Sequence, residues 1–190
     1  PPAIPLDLNL EDMFFHYGVK VRSALVQDRQ CLSVPVNVSA DEQQPNFQPI
    51  PWFYAPLLLS SETAPMTRNL GQVSSVFASP IEVTTAEDGL RKQALLATSS
   101  DSRLIPTPAK VDLMDFNANP DEFHYRYLPI AVALEGPFPS TFAHRQAPRA
   151  ITQSGQQKDL STPTKQVVCG CGTLARNDWN NHQPLPAGYD

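Results

Sequence analysis

Charge, cysteine and long apolar runs are all scarce in these 190 residues, and each shortage excludes something. Charged residues make up 17% of the chain, below the roughly 25% of an average soluble domain. The net charge of −5 comes from 14 Lys+Arg against 19 Asp+Glu. It is spread evenly, with 6 basic and 10 acidic groups in residues 1–95 and 8 and 9 in residues 96–190. Without a basic stripe or tail, nothing neutralises phosphates, so no nucleic-acid partner and no polybasic membrane anchor is expected. The three cysteines, Cys31, Cys169 and Cys171, are too few and too odd in number for a disulfide scaffold. The longest apolar stretches, Phe53 to Leu59 and Leu128 to Leu134, are seven residues each and contain a proline. A membrane-spanning helix needs about 20. No secretory signal pattern is visible. The first residue is Pro1, and the chain is expected to be an excised piece of a longer protein.

Proline is what the sequence has in excess: 20 residues, about twice the usual share. A helical bundle or coiled coil is thereby excluded, because proline breaks helix interiors. The length suits one domain with a real core. One helix is nonetheless predicted near the start. Leu10, Met13, Phe14 and Tyr17 recur at helical spacing. Asn9 is the expected N-cap with Asp12 closing a capping box, Leu8 and Met13 the expected staple, and Gly18 the stop.

The remainder reads as strands and loops. Leu32 to Val38 alternates, with Pro35 arguing for an edge or a bulge. Asp41 to Gln48 reads as a loop. Trp52 to Leu59 reads as a strand broken near Pro56, Met66 to Leu70 as one helical turn, and Val73 to Val83 as extended around Pro80. Ala86 to Gly89 reads as a turn and Gln93 to Thr98 as a short buried strand. Ser99 to Pro108 reads as a loop, Asp121 to Tyr127 as the start of a helical turn behind Pro120, and Ile130 to Leu134 as the best buried strand, ended by Gly136-Pro137-Phe138-Pro139. Thr141 to His144 reads as a short helix, 144–165 as a long polar loop, and Gln166 to Cys169 as a final strand before a turn-rich tail. The class is α/β, strand-rich and mixed, with few short helices.

Little in the chain carries covalent chemistry. Cys169 and Cys171 with His182 lack the second ligand pair that zinc sites use, so no metal is assigned. No local motif ties Cys31, Cys169 or Cys171 to His16, His124, His144 or His182. The nucleophile-elbow, phosphate-loop, dinucleotide and zincin signatures are absent, so no catalytic residue and no cofactor is assigned. The acid pairs Glu11/Asp12, Glu87/Asp88 and Asp121/Glu122 sit at element ends, where capping and solvation account for them. Trp52-Phe53-Tyr54 suits a ligand groove, although core packing is the commoner fate of such a cluster.

Several segments, in order, resemble one family. Pro5 to Val19, with Leu8-Asn9-Leu10-Glu11-Asp12 and Tyr17-Gly18-Val19, is similar to a stretch of the GldG-type gliding-motility ABC transporter auxiliary proteins. So are Leu25-Val26-Gln27-Asp28 with Cys31, Ile50 to Leu57, Met66 to Leu70, Val132 to Gly136 with Phe138, Ser140, Phe142 and Arg145, Arg176-Asn177-Asp178, and Pro184 to Asp190. The resemblance implies a non-catalytic extracytoplasmic domain, residues 1–190, of a membrane-anchored parent at the periplasmic face of the cytoplasmic membrane. It implies ABC permease and ATPase subunits as partners, and a Rossmann-like, glutamine-amidotransferase-like fold. Where the family carries Asp-Gly-Asp, this chain has Cys171-Gly172-Thr173, which leaves Asn177 and Asp178 as the candidate polar binding residues beside Trp52 and Tyr54. Two alternatives stand beside docking: a small-molecule or glycan-binding module, and a degenerate amidotransferase-like cysteine hydrolase.

Overall fold

Frequent prolines leave little room for helices, and the chain folds as strands. The computed structural model describes residues 2–39, 44–84, 89–112, 118–143, 158–176, 179–180 and 183–184. In chain order the strands are β1 (Pro2–Ala3), β2 (Val19–Val21), β3 (Ala24–Asp28), β4 (Cys31–Asn37), β5 (Phe47–Ser60), β6 (Val73–Ser74) and β7 (Ile81–Val83). They continue with β8 (Arg91–Ala97), β9 (Ser102–Pro106), β10 (Ala109–Lys110), β11 (Pro129–Gly136), β12 (Thr164–Cys169), β13 (Trp179–Asn180) and β14 (Gln183–Pro184). The main sheet runs β12-β11-β8-β5-β4, with β6 added to β5. Four two-stranded pairs accompany it: β3-β9, β2-β7, β1-β10 and β13-β14.

This architecture overturns the Rossmann-like, amidotransferase-like expectation and the mixed sheet. A doubly wound fold needs parallel strands joined by crossover helices. Every strand pairing among the described residues is antiparallel, and the one α-helix there, α1 (Glu11–His16), is six residues long. The class is a curled, antiparallel, strand-built domain.

β11 is the strand the core is built on. Ile130, Ala131 and Ala133 belong to one apolar cluster with Val26, Leu58, Leu95 and Cys171. Val132 and Leu134 belong to another with Tyr17, Val19, Ile81, Phe138 and Val168. The helix docks Met13, Phe14 and Tyr17 on the second cluster, and Phe15 stays exposed. Its expected N-terminus differs. The Asp7 carboxylate accepts the Asn9 N–H at 2.9 Å, Asn9 turns left-handed at φ 53°, and Leu10 takes the cap position with no side-chain cap. Leu8 is exposed, so no staple forms. Gly18 ends the helix at φ 67° as expected.

β4 is an edge strand, as Pro35 required. Pro35 lies opposite Pro49, and Ser33 opposite Pro51. Val38 donates to the Asn46 carbonyl at 2.9 Å, so the exchanging pairs are Val34–Ile50 and Val36–Gln48, and the prolines occupy the alternate positions that need no donor. β5 does not break at Pro56. The chain stays extended from Phe47 to Ser60, and the interruption appears in the pairing, where the register shifts between Cys31–Pro56 and Ser33–Pro51. The Pro56 carbonyl is taken by Ser75 through its N–H at 3.1 Å and its hydroxyl at 3.0 Å.

The expected loop at Ser99 to Pro108 is also corrected, because β9 occupies its middle and pairs with β3. Thr141 to Ala143 form a single turn rather than a helix, with Ala143 N–H on the Ser140 carbonyl at 3.1 Å. Of the expected loop 144–165, residues 144–157 lie outside the described residues. The rest is already tied down: Ser140 donates to Asp159 at 2.7 Å, Ser161 donates to Phe138 at 2.9 Å, and β12 begins at Thr164. The turn at Ala86 to Gly89 lies outside the described residues except for Gly89, at φ 75°.

β12 ends at a backbone crossing. Gly170 donates to the Ile130 carbonyl at 2.8 Å and accepts from the Ser79 N–H at 2.7 Å. A Cβ there would stand 1.9 Å from the Ser79 carbonyl oxygen. Gly170→Ala is therefore expected to cost about 3 kcal/mol or more, read as a lower midpoint in denaturant unfolding; an unchanged midpoint would show that this crossing relaxes freely.

Candidate functional site

The aromatic triplet is divided by strand alternation. Tyr54 is buried beside Leu25 and Val111, with Trp52 packed half-buried against them. Both meet Phe77, with centroids 5.4 Å away for Trp52 and 6.1 Å for Tyr54. Phe53 pairs instead with Phe123 at 5.3 Å, over which Arg103 lies at 5.2 Å. These rings are packing elements rather than one groove wall. The buried Trp52 Nε1 has no hydrogen-bond partner among the described residues. Asn177 and Asp178, the other binding candidates, lie outside the described residues.

The densest polar cluster lies on β3. Gln27 and Asp28 are fully buried. Asp28 accepts the Ser99 N–H at 2.7 Å, the Ser99 hydroxyl at 2.6 Å and the Gln30 N–H at 2.8 Å. Gln27 accepts from Arg103 Nε at 2.5 Å, and Arg103 is ion-paired with Glu122. Thr98 Oγ1 accepts the Leu128 N–H at 2.9 Å and meets the Ser102 hydroxyl at 3.1 Å. Burial pushes the Asp28 carboxyl above its ordinary value, and the Ser99 and Gln30 bonds offset part of that. The cluster holds the β3–β4 turn to the β8–β9 turn. Gln27, Asp28, Thr98, Ser99 and Ser102 are buried and bonded within the cluster, which suits a clamp between the two turns.

The thiols are placed as poor nucleophiles. Burial, and secondarily the Asp28 charge, push Cys31 up to about 11. Cys169 is also raised, by burial and then by Cys171. Cys171 is buried, its Sγ 3.4 Å from the Val76 carbonyl and 2.9 Å from Thr173 Oγ1. At neutral pH Cys31 and Cys169 are protonated, whereas a cysteine hydrolase attacks with a thiolate. His16 is held at 2.6 Å by its own helix carbonyl, Asp12, and His124 lies against Tyr125 at 4.5 Å. His144 and His182 lie outside the described residues. No group of three or more His, Cys, Asp or Glu among the described residues forms a metal cage.

A groove of about 600 Å³ lies open where β5 leaves β8. β5 pairs β8 only at Leu59 and Ser60, so the chain after them lifts away and returns over a single turn. That turn is pinned by Ser61 N–H on the Leu95 carbonyl at 2.9 Å, Thr67 Oγ1 on the Ser61 carbonyl at 3.0 Å, and the Ser60 hydroxyl on the Leu70 carbonyl at 2.6 Å. The walls expose Leu70 and Tyr127, with Glu62 and Arg68 among the polar lining. Tyr127 is held at φ 51° by its N–H on the Ser99 carbonyl at 2.9 Å. A non-glycine residue in that region is uncommon and concentrates at functional surfaces. The sequence shows the turn at Met66 to Leu70 but not the exposure of Leu70 or Tyr127, which depends on how little of β5 pairs with β8.

The fold is an antiparallel, strand-built domain with an open apolar groove, and the residues lining that groove include no paired nucleophile and base. A family model described as an ABC-type uncharacterized transport system matches residues 1–190. The chain belongs to that family, the auxiliary components of ABC-type transport systems. No curated protein and no solved structure shows significant similarity to it.

Two measurements check the clamp and the thiols. Asp28→Ala strips the acceptors from the buried Ser99 N–H and the half-buried Gln30 N–H and is expected to cost about 3 kcal/mol, with Asp28→Asn costing less. Because the folded carboxyl is raised, the native state holds its proton longer than the unfolded chain. The Asp28 contribution is therefore fully present below the ordinary carboxylate pKa and declines as pH rises through the raised value. Asp28→Asn should remove that slope, and equal slopes in both proteins would refute it. Iodoacetamide labelling of Cys31 should be slow at pH 7 and still rising at pH 10; a plateau below pH 8 would reveal a thiolate.

Proposed function

We propose that the chain is the non-catalytic, extracytoplasmic docking part of an ABC transport complex of the gliding-motility type. The match of the transport family over the whole chain carries this reading. The open groove supports docking over chemistry, since its lining offers apolar area and an exposed aromatic and neither a thiol nor an imidazole. ATP is hydrolysed by another subunit, and the permease is the nearest partner. The parent protein holds this domain at the periplasmic face of the cytoplasmic membrane. Among the described residues no helix is long and apolar enough to cross a membrane.

A second reading, a small-molecule or glycan-binding module, is favoured by one observation. The groove volume falls within the range of about 300–1,000 Å³ typical of ligand sites.

Affinity capture of the full-length parent from its own membranes in mild detergent tests the first reading. A permease and an ATPase are expected in fixed proportion, and Leu70→Asp or Tyr127→Ala in the groove should reduce their recovery about tenfold. Recovery of neither subunit would end the docking reading. A thermal shift of the isolated domain with a sugar or peptidoglycan fragment, lost in Tyr127→Ala, would then establish the second.

A further inference from the structure

The main sheet ends in two edges of different character. At β4 the outward-facing position Pro35 has no N–H to offer. Within β12 itself no residue lacks its N–H, and the nearest proline is Pro163, just before the strand. Thr164 to Cys169 contains no proline and pairs with β11 over six residues without a register shift. Gly170 donates to Ile130 at 2.8 Å, which sets the phase of the ladder: Thr164, Gln166 and Val168 exchange bonds with β11. Lys165, Val167 and Cys169 therefore aim their N–H and C=O groups away from the sheet. No other strand among those described pairs with that side. Val167 and Cys169 are exposed, and Lys165, the one charge on the strand, is drawn across the sheet to Glu135 at 3.0 Å, which it shares with Arg91 at 2.9 Å. Natural edges carry charge, bulges or proline to prevent pairing; within β12 the one such feature is Lys165, tethered to Glu135.

We propose that β12 pairs antiparallel with β12 of a second copy of the chain, joining the two main sheets across a two-fold axis at Val167. The sequence of the strand fits itself in that register. Val167 lies opposite its own copy, a β-branched pair of the kind that stabilises sheets. Lys165 lies opposite Cys169, so no like charges meet. The outward groups of Lys165, Val167 and Cys169 form six hydrogen bonds with those of the partner copy, and the isologous arrangement closes at a dimer. This goes beyond the docking reading and does not depend on it, because the groove is built from β5, β8 and the turn after β5.

Light scattering behind size exclusion, on the 190-residue chain from about 1 to 200 µM, reads the outcome. The unaltered chain is expected at twice its own mass at the upper concentrations. Val167→Lys puts two ammonium groups face to face and should raise the dimer dissociation constant about tenfold or more, with an unchanged circular dichroism spectrum. Lys165→Cys reports the register separately: it should cross-link to Cys169 of the other copy under mild oxidant, giving a covalent dimer on non-reducing gels. A monomer at every concentration overturns the proposal. So does a dimer indifferent to Val167→Lys, or one that Lys165→Cys fails to cross-link.

Discussion

A carboxylate removed from water must accept hydrogen bonds on both oxygens or give up its charge, and the arrangement around Asp28 follows from that requirement. Its three bonds to Ser99 and Gln30 fix where the β3–β4 turn stands relative to the β8–β9 turn. With those two turns fastened, β3 lies beside β5 and pairs with β9. Arg29 reaches the Asp101 carbonyl at 3.0 Å, and Ser99 in turn holds the backbone of Tyr127. The chain from one turn to the other spans about seventy residues, so this contact closes a long loop. Its formation is entropically costly, and its loss would loosen the β3–β9 pair from β5.

The same requirement explains which strands could be read from the sequence. β11 and β8 are apolar in their middles, and Ile130 to Leu134 and Gln93 to Thr98 announce them. β4 alternates, and Pro35 gives away its edge position. β3 and β9 were not legible as strands, because Gln27, Asp28, Ser102 and Arg103 look like loop chemistry. They are buried only because they satisfy one another, a tertiary fact that no local window contains. The Rossmann-like expectation came from resemblance and never from residue pattern. The spacing of proline already left little length for crossover helices, and the antiparallel sheet agrees with that composition.

The site was less legible than the fold. Trp52 and Tyr54 drew attention as aromatic area, yet alternation along β5 sends them into packing with Phe77 and Leu25. The groove depends on the end of pairing between β5 and β8 after Ser60, and pairing extent is a property of two strands far apart in sequence. Leu70 and Tyr127 are ordinary apolar residues in the chain and become a surface only when that pairing stops. Cys31 illustrates the converse: a thiol that invited chemistry in the sequence is silenced by its burial and by Asp28.

The facing prolines of β4 and β5 have a consequence for how the strand pair finds its alignment. Much of this pair is exposed, so burial of one face gives weak guidance on register. In the observed alignment Pro35, Pro49 and Pro51 all fall where the ladder asks for no donor. Sliding one strand by a single residue would bring at least one of them to an exchanging position and remove a bond that no neighbour can replace. The imino acids thus act as a parity lock: slips by an odd number of residues are excluded, and an arm with little hydrophobic content is left only the alignments that keep its prolines off the ladder.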